Sequence, residues 1–265
     1  MGSVSRIRLD QLLVERGLAP SRAAAQAMLL AGEVQLEGEG RVLKPGNLVP
    51  PDAQLTVRQR PRWASRAGDK LDAALDAFQV DPAGMVALDA GASTGGFTDV
   101  LLARGASRVY AVDVGRAQLV DRLRRDPRVV SMERTNLRTL ETLPEPAQLA
   151  TLDLSFISLR LVLPTVRRLL AESGQVIALI KPQFEAGKEA VPRGGVIRDQ
   201  AVHAEVLGRV TAGANQVGFG VIGLMRSPVT GADGNVEFLA HLADPPGMAP
   251  QALEERIQVL AAPSG

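Results

Sequence analysis

Met85-Val86-Ala87-Leu88-Asp89-Ala90-Gly91-Ala92-Ser93-Thr94-Gly95-Gly96 is the stretch from which the fold is read. An apolar run of strand type leads into Asp89 and then into a glycine-rich turn. Phe97, Val100, Leu101 and Leu102 follow at helical spacing. This is the strand–turn–helix grammar of a nucleotide-binding crossover unit, although an ordinary βα turn shares it. Glycines allow a ligand to approach backbone N–H groups where a Cβ would intrude. The helix N-terminus adds partial positive charge.

The next segment narrows the choice. Arg108-Val109-Tyr110-Ala111-Val112-Asp113 reads as a second strand ending in an acid, and Asp113 lies 22 residues after Gly91. An acid at that spacing meets ribose hydroxyls. Dinucleotide enzymes and S-adenosylmethionine (SAM) methyltransferases share the arrangement. Here Ser93 stands where a dinucleotide fingerprint has its second glycine, the one that admits a pyrophosphate, and SAM has no pyrophosphate. Asp89 suits the ammonium of a methionine moiety. SAM is therefore the expected cofactor, with Asp89, Gly91, Ser93, Thr94, Gly95, Gly96, Phe97 and Asp113 facing it.

Working outward, Arg128–Met132 reads as a third strand running on to Thr135-Asn136-Leu137. Asn136 stands where either an adenine contact or a plain turn residue belongs. Leu149–Phe156 is a fourth strand containing Asp153, followed by a helix near Leu159–Leu170. Gly174–Pro182 is a fifth strand, apolar throughout as a buried parallel strand should be, and it ends in Lys181. Residues 184–200 have the length and glycines of a flap. A helix over Asp199–Val217 and strands at Phe219–Met225 and Val236–Leu242 complete seven strands with a hairpin-like end, as methyltransferases have. Glu237 opens the last strand. Residues 244–265 read as a C-terminal tail with a polar helix and no assigned role.

Lysine usage sharpens Lys181. Of 30 basic residues, 26 are arginine, and the lysines are Lys44, Lys70, Lys181 and Lys188. A codon or stability bias towards arginine explains the surface. It does not explain a lysine ending an apolar strand, and lysine can lose a proton where arginine effectively cannot. Ser65–Leu71 opens a helix that carries Lys70 and turns Leu71, Ala74, Leu75 and Phe78 inward.

Residues 1–59 form a separate small module. Arg8–Gly17 is an amphipathic helix closed by glycine, and Ser21 caps a second helix. Gly32–Gly38 and Leu55–Arg58 alternate like strands around a Lys44-Pro45-Gly46 turn. Residues 1–62 carry a charge of +3 and the remainder −2. Arg8, Arg16, Arg22, Arg41 and Lys44 would contact phosphates, which position RNA without reading its sequence. Arg60, Arg62 and Arg66 extend the basic track across a linker at 60–64. Trp63 there suits packing between domains, or stacking on a base.

Composition bounds the rest. A net charge of +1, 46% hydrophobic content and no cysteine describe an ordinary globular chain without disulfides or thiolate metal sites. No signal peptide and no apolar run long enough to span a bilayer is apparent, so a cytoplasmic, membrane-free protein is expected.

The N-terminal pattern resembles the S-four-type RNA-binding module. The matching stretches are Arg8-Leu9-Asp10, Gly17, Ser21-Arg22, Ala31–Val34 and Lys44-Pro45-Gly46. With Ser65-Arg66…Lys70-Leu71, Asp89-Ala90-Gly91…Thr98, Asp153–Ser158, Lys181–Glu185 and Gly234–Glu237, the chain over roughly residues 6–242 resembles the TlyA-type proteins. These are named both hemolysins and ribosomal RNA 2′-O-methyltransferases, and their larger domain is FtsJ-like. The resemblance implies an α/β, Rossmann-like seven-stranded SAM-dependent methyltransferase fold over 65–243 behind a small α+β RNA-binding domain. It implies ribosomal RNA or ribosomal subunits as partner, with a cytidine ribose as acceptor.

It also implies a Lys-Asp-Lys-Glu tetrad at Lys70, Asp153, Lys181 and Glu237. Lys181 would accept the proton of the ribose hydroxyl, which requires its pKa to fall from about 10.4. Lys70 would stabilise the developing alkoxide. Asp69 stands where the family often has a small or neutral residue, and a carboxylate there would favour charged Lys70. The sulfonium needs no further activation, so no metal is implied. The rival readings are a base-directed RNA methyltransferase, an RNA-binding ribosome-assembly factor with vestigial catalysis, and membrane lysis.

Overall fold

The computed structural model describes residues 6–37, 43–57, 62–231 and 233–262. The chain forms two compact units, residues 1–61 and 62–265.

In the first unit, β1 (Ile7–Arg8), α1 (Leu9–Glu15), α2 (Arg22–Leu30), β2 (Val34–Leu36), β3 (Leu48–Val49) and β4 (Leu55–Val57) enclose Leu9, Leu12, Leu13, Leu29, Val34 and Val49. Ser21 Oγ accepts from Ala24 N at 3.2 Å, the expected cap of α2. β2 pairs antiparallel with β4, and β1 with β3. The β1–β3 pair escapes the sequence reading because two residues are too few to show alternation. Lys44–Asn47 forms a turn that leads into β3, with Asn47 N bonded to Lys44 O at 3.0 Å.

Asp10 is the polar centre of this unit. Its buried carboxylate accepts from Arg8 Nε (3.0 Å) and Nη2 (2.9 Å), Arg22 Nε (3.0 Å) and Gln26 Nε2 (2.9 Å). Arg16 donates to the carbonyls of Ala53 (2.5 Å) and Pro51. Arg8, Arg16 and Arg22, expected on phosphates, are thus already engaged in holding the unit together. Lys44 is exposed, and Arg41 and Arg60 lie outside the described residues.

The second unit is built on one mixed sheet. Its elements are α3 (Ala67–Phe78), β5 (Val86–Ala90), α4 (Gly96–Ala103), β6 (Arg108–Val112), α5 (Asp121–Arg124), β7 (Val129–Met132), β8 (Ala147–Leu152), α6 (Leu163–Leu169), β9 (Leu170–Ile180), α7 (Pro182–Glu185), α8 (Gln200–Gln216), β10 (Gly220–Arg226), β11 (Phe238–Ala243) and α9 (Pro250–Ala261). The strand order is β10-β11-β9-β8-β5-β6-β7. β7, β6, β5, β8 and β9 run parallel, β11 runs against them, and β10, antiparallel to β11, points the same way as the five. The expected seven strands are all present.

Each central strand is buried on both faces, with alternate residues serving two cores. Leu88, Ala90, Val176, Ala178 and Ile180 face the cluster that includes α6, α8 and α9. Ala87, Ile177 and Leu179 face the cluster that includes α3 and α4.

Two expected boundaries move. Trp63 and Ala64 do not form a linker. Trp63 is buried in the second unit, against Gly68, where a Cβ would come 2.4 Å from its ring. Arg62 caps that ring at 4.5 Å and pairs with Asp72 at 2.6 Å. Ala64 N donates to Asp99 Oδ2 at 2.8 Å. The expected C-terminal tail is packed structure through residue 262. α9 buries Ile257, Leu260 and Ala261, and Arg226 and Arg256 reach across from and to β10 to bond backbone carbonyls. Its apolar residues are too sparse among polar ones to stand out in sequence.

The Arg8 hydrogen bonds hold the Asp10 carboxyl well below the usual carboxylate range, against the opposing cost of its burial. Its contribution to stability is therefore complete above about pH 4, the ordinary aspartate value, and is lost only as pH falls through the depressed folded value. Asp10→Asn should destabilise the N-terminal unit by about 1–3 kcal/mol at neutral pH, measured by urea unfolding with hydrogen exchange on the amides of α1 and α2.

Candidate active site

In the second unit the chain leaves β5 towards β6 and β7, then returns to β8 on the other side of β5. That reversal opens a crevice beyond the carboxyl ends of the strands, where doubly wound sheets bind ligands. A cleft of about 440 Å³ lies there. Gly91, Ser93, Asp113, Asn136 and Asp153 line it, each just past the end of a parallel strand. These were among the residues expected from sequence.

Gly91 takes φ +85°, and a Cβ there would sit 2.4 Å from the backbone oxygen of Asp153. The position needs glycine for both reasons. Asp113 fixes the turn by accepting from Ser93 N (2.8 Å) and Gly115 N (2.7 Å). Asn136 is exposed at the cleft, and its Oδ1 caps the 3-10 turn Leu137–Thr139 by accepting from Arg138 N (3.0 Å). The turn reading of Asn136 is what the structure shows, at a position that also lines the cleft.

Other expected cofactor contacts lie behind the cleft wall. Asp89 is fully buried and accepts from Thr98 Oγ1 (2.6 Å) and Thr151 Oγ1 (3.4 Å), so it does not line the cleft. Thr94 is absent from the lining too. Gly95 and Gly96 serve packing. A Cβ at Gly95 would lie 2.4 Å from Leu123, and one at Gly96 would lie 2.3 Å from Ser65 Oγ. Phe97 belongs to the core. The turn signature is real, but half of its residues act by letting α3, α4 and α5 close against one another.

The charged groups converge at the same edge. Lys181 follows β9, and its Nζ lies 2.6 Å from Asp153 Oδ1. The alignment of that ion pair falls short of a hydrogen bond, so Asp153 Oδ1 has no hydrogen-bond partner among the described residues. Nζ instead donates to Ser155 Oγ at 3.1 Å. Glu237 directly precedes β11, whose antiparallel register pairs Phe238 with Ile180. Continuing that register by one residue sets Glu237 opposite Lys181, within the usual cross-strand spacing of about 5 Å. Lys70, one turn into α3, is buried and bonds Glu237 Oε2. Two lysines and two acids from four distant segments therefore form two ion pairs at this edge, Lys70–Glu237 and Lys181–Asp153. Asp69 is exposed, while its neighbour Lys70 turns inward to Glu237.

Some site residues carry too weak a sequence signal to be chosen. Ser155 and Phe156 sit inside a recognisable segment, yet nothing in it foretells their geometry. Phe156 takes φ +64° and is 91% exposed at the cleft, with its ring centroid 4.9 Å from that of Phe184. A large side chain held in the left-handed region at a cleft mouth is a costly arrangement of the kind found at functional sites. Glu185 is buried and accepts from Ser158 Oγ (2.6 Å) and Leu159 N (2.7 Å), which ties α7 to the segment after β8. Burial raises its pKa, opposed by those hydrogen bonds. Asn235, also buried, accepts from Ile197 N and donates to Gly195 O, both at 2.9 Å. It pins the expected flap beside Glu237.

A seven-stranded sheet with an antiparallel end hairpin, and charged side chains gathered at the carboxyl ends of its strands, define a methyltransferase-type α/β protein. The profile of the FtsJ-like methyltransferase family matches residues 63–243, and that of the S4 domain matches residues 7–55. The chain belongs to the FtsJ-like methyltransferase family. It is 50% identical over 242 residues to a candidate rRNA methyltransferase, YqxC, of Bacillus subtilis, covering 89% of this chain and 85% of that protein. It is 45% identical over 241 residues to the 16S/23S rRNA (cytidine-2′-O)-methyltransferase TlyA of Mycobacterium tuberculosis, covering 89% and 90%. A solved structure of a candidate hemolysin from Streptococcus thermophilus is 43% identical, with a TM-score of 0.73 over 98% of this chain and 96% of that one.

Burial pushes the Asp89 carboxyl up to about 7, helped by the nearby Asp153 charge and opposed by the Thr98 and Thr151 hydrogen bonds. A raised folded pKa means that the native state binds the proton more tightly, so Asp89 costs stability as pH climbs from about 4 to about 7. Asp89→Asn should remove that cost, its amide oxygen still accepting from Thr98 Oγ1 and its N–H donating to Thr151 Oγ1. The stability of the variant relative to the parent should therefore rise across that window and level off above it, as measured by urea titrations at pH 4.5, 6 and 8.

Proposed function

We propose that this chain is a SAM-dependent methyltransferase that modifies a ribose 2′-hydroxyl of ribosomal RNA, with cytidine the acceptor nucleoside by its similarity to the M. tuberculosis relative. The observation that carries the reading is the meeting of Lys70–Glu237 and Lys181–Asp153 beside the Gly91 cleft.

The cleft fits the cofactor on three counts. The Gly91 turn leaves backbone approachable where a side chain would block it. The Asp113 carboxylate stands at the end of β6, where ribose hydroxyls would meet it. Apolar Leu137, Leu154, Ile157 and Val162 line the same cleft, as an adenine face would need. Gly91, Ser93, Asp113, Asn136 and Asp153 would hold SAM, which when bound supplies an electrophilic methyl on its sulfonium.

The remaining chemistry belongs to the side chains. A ribose hydroxyl is a weak nucleophile until its proton leaves. Lys181 is the proton acceptor, held in place by Asp153 and Ser155. Lys70, oriented by Glu237, places positive charge where the oxygen becomes anionic, the preorganised kind of stabilisation that accounts for much of enzymic catalysis. Both acids also limit how the lysines can swing, so the amines wait in reacting geometry. Phe156, exposed at the cleft mouth, offers a face against which an unstacked base can rest.

The N-terminal unit, expected over residues 1–59, would hold the RNA while the domain over 65–243 carries out the transfer. Its S4 match supports that division of labour. Lys44 is exposed and open to a phosphate contact, while Arg8, Arg16 and Arg22 already grip their own fold.

Lys181→Ala should lower single-turnover methylation of ribosomal RNA by about 10²–10⁴-fold, the usual contribution of a positioned acid–base group. SAM affinity by calorimetry should fall far less than turnover, since Gly91, Ser93, Asp113 and Asn136 are left untouched. Near-normal turnover by this variant would remove Lys181 from the role. Gly91→Ala should do the opposite, weakening SAM binding by about tenfold or more through the clash with Asp153 and the strained φ. Mass spectrometry of nuclease digests identifies the methylated atom, and a methyl on a base would overturn the ribose assignment.

A further inference from the structure

Lys181 and its partners come from two segments that leave neighbouring strands. Asp153, Ser155 and Phe156 follow β8, and Lys181 and Phe184 follow β9. The ladder between the two strands ends at Leu152 and Ala178. Beyond it, no backbone hydrogen bond joins 153–159 to 181–186 among the described residues. Side chains make the connection instead. Lys181 reaches Asp153 and Ser155, the Phe156 and Phe184 rings meet, and Glu185 binds the end of the first segment. A lysine that takes up and releases a proton cannot rely on its own contacts to fix its seat, because those contacts change with its charge.

Glu185 fixes the seat from behind. One turn of helix, α7, separates it from Lys181. Pro182 sets the first φ of that turn, and bonds from Phe184 N to Lys181 O and from Ala186 N to Pro182 O, both 2.9 Å, close it. The Glu185 carboxylate accepts from Ser158 Oγ at 2.6 Å and from Leu159 N at 2.7 Å. Its carbonyl accepts from Arg209 Nη1 of α8 at 3.0 Å. The loop that Glu185 grasps is fastened at its other end, where Asp153 N donates to Ala90 O at 2.9 Å. Ser155 and the left-handed Phe156 lie between the two anchors, and such strain persists only where the surrounding structure enforces it.

Stability alone does not account for an acid at this position. Glu185 is buried, and its side-chain partners among the described residues are a hydroxyl and a backbone amide, both neutral. A carboxylate buried without a cation against it is costly, and an apolar side chain would fill the space at lower cost. What the carboxylate offers is a grip on two donors in fixed directions. Neither Glu185 nor Ser158 lines the cleft, so the grip acts through what it fastens.

We infer that Glu185 is a positioning residue for methyl transfer: it clamps the end of α7 to the end of the Asp153–Ser158 loop and so holds Lys181 in register with Asp153 and Ser155. The inference rests on the reading of Lys181 as proton acceptor and deepens it. The clamp touches neither cofactor nor RNA, and its effect falls on the transfer step rather than on binding.

The experiment uses the full-length protein, SAM and ribosomal RNA, with circular dichroism to check folding. Glu185→Ala should lower kcat by about 10- to 100-fold, as a misplaced reacting group does, and leave KM for SAM within about twofold. Glu185→Gln should keep kcat within about threefold of the parent, its amide oxygen accepting from Leu159 N and its N–H donating to Ser158 Oγ. Ser158→Ala removes one bond of the clamp and should fall between the two, so it decides the matter if Glu185→Ala does not fold. In a Lys181→Ala background, Glu185→Ala should cost less than about twofold more, because the group it positions is gone. Parental kcat in Glu185→Ala or in Ser158→Ala would overturn the clamp. So would a Glu185→Gln as slow as Glu185→Ala, or the full loss repeated on top of Lys181→Ala. The functional reading fails separately, if the parent protein with SAM leaves every rRNA 2′-hydroxyl unmodified.

Discussion

The constraint on which everything else depends is the polarity of a parallel sheet. Parallel strands deliver their carboxyl ends to one edge, and their crossovers carry the chain back without returning it to that edge as strand. Gly91, Asp113, Asn136, Asp153 and Lys181 are therefore delivered together, though they are spread over 91 positions of sequence. The antiparallel β11 adds Glu237 from its amino end, which lies at the same edge because β11 runs the other way. No loop has to be long for this to happen. The site is a consequence of register and direction.

Burial then gives the charged groups their geometry. Lys70 lies almost out of water, and its bond to Glu237 satisfies an ammonium that could not be left alone there. Lys181 meets Asp153 and Ser155 at the rim, where a substrate can still reach it. The two pairs are alike in composition, and their lysines are similarly sheltered, at 9% and 13% side-chain exposure. Behind them Asp89 ties β5 to α4 and β8 through Thr98 and Thr151, at the cost of holding a carboxyl in the core.

Arginine shows how the same residue serves different ends. In the N-terminal unit Arg8 and Arg22 converge on buried Asp10, and Arg16 closes on two carbonyls. Along one edge of the catalytic sheet Arg108 and Arg128 are neutralised by acids, and along the other Arg116, Arg134 and Arg138 are exposed without them among the described residues. The chain's balanced composition conceals this polarity entirely, because a count of charges carries no information about which are paired.

What the sequence determined by itself was the periodicity and the punctuation. The apolar runs marked all seven strands of the sheet, and glycine and acid at the strand ends marked its binding edge. A lysine closing an apolar strand in an arginine-rich chain marked Lys181, and the motifs together marked the tetrad. These are local signals, set by backbone sterics and by the alternation of side chains. Only tertiary structure decided what each marked residue touches. It placed Asp89, Gly95, Gly96 and Phe97 behind the cleft rather than in it, engaged three expected RNA-binding arginines in bonds to their own unit, moved Trp63 out of a linker and packed α9 on the core. It also raised Phe156, Glu185 and Asn235 to notice. Pairing of charges and depth of burial depend on segments far apart in the chain, and no spacing along one segment encodes them.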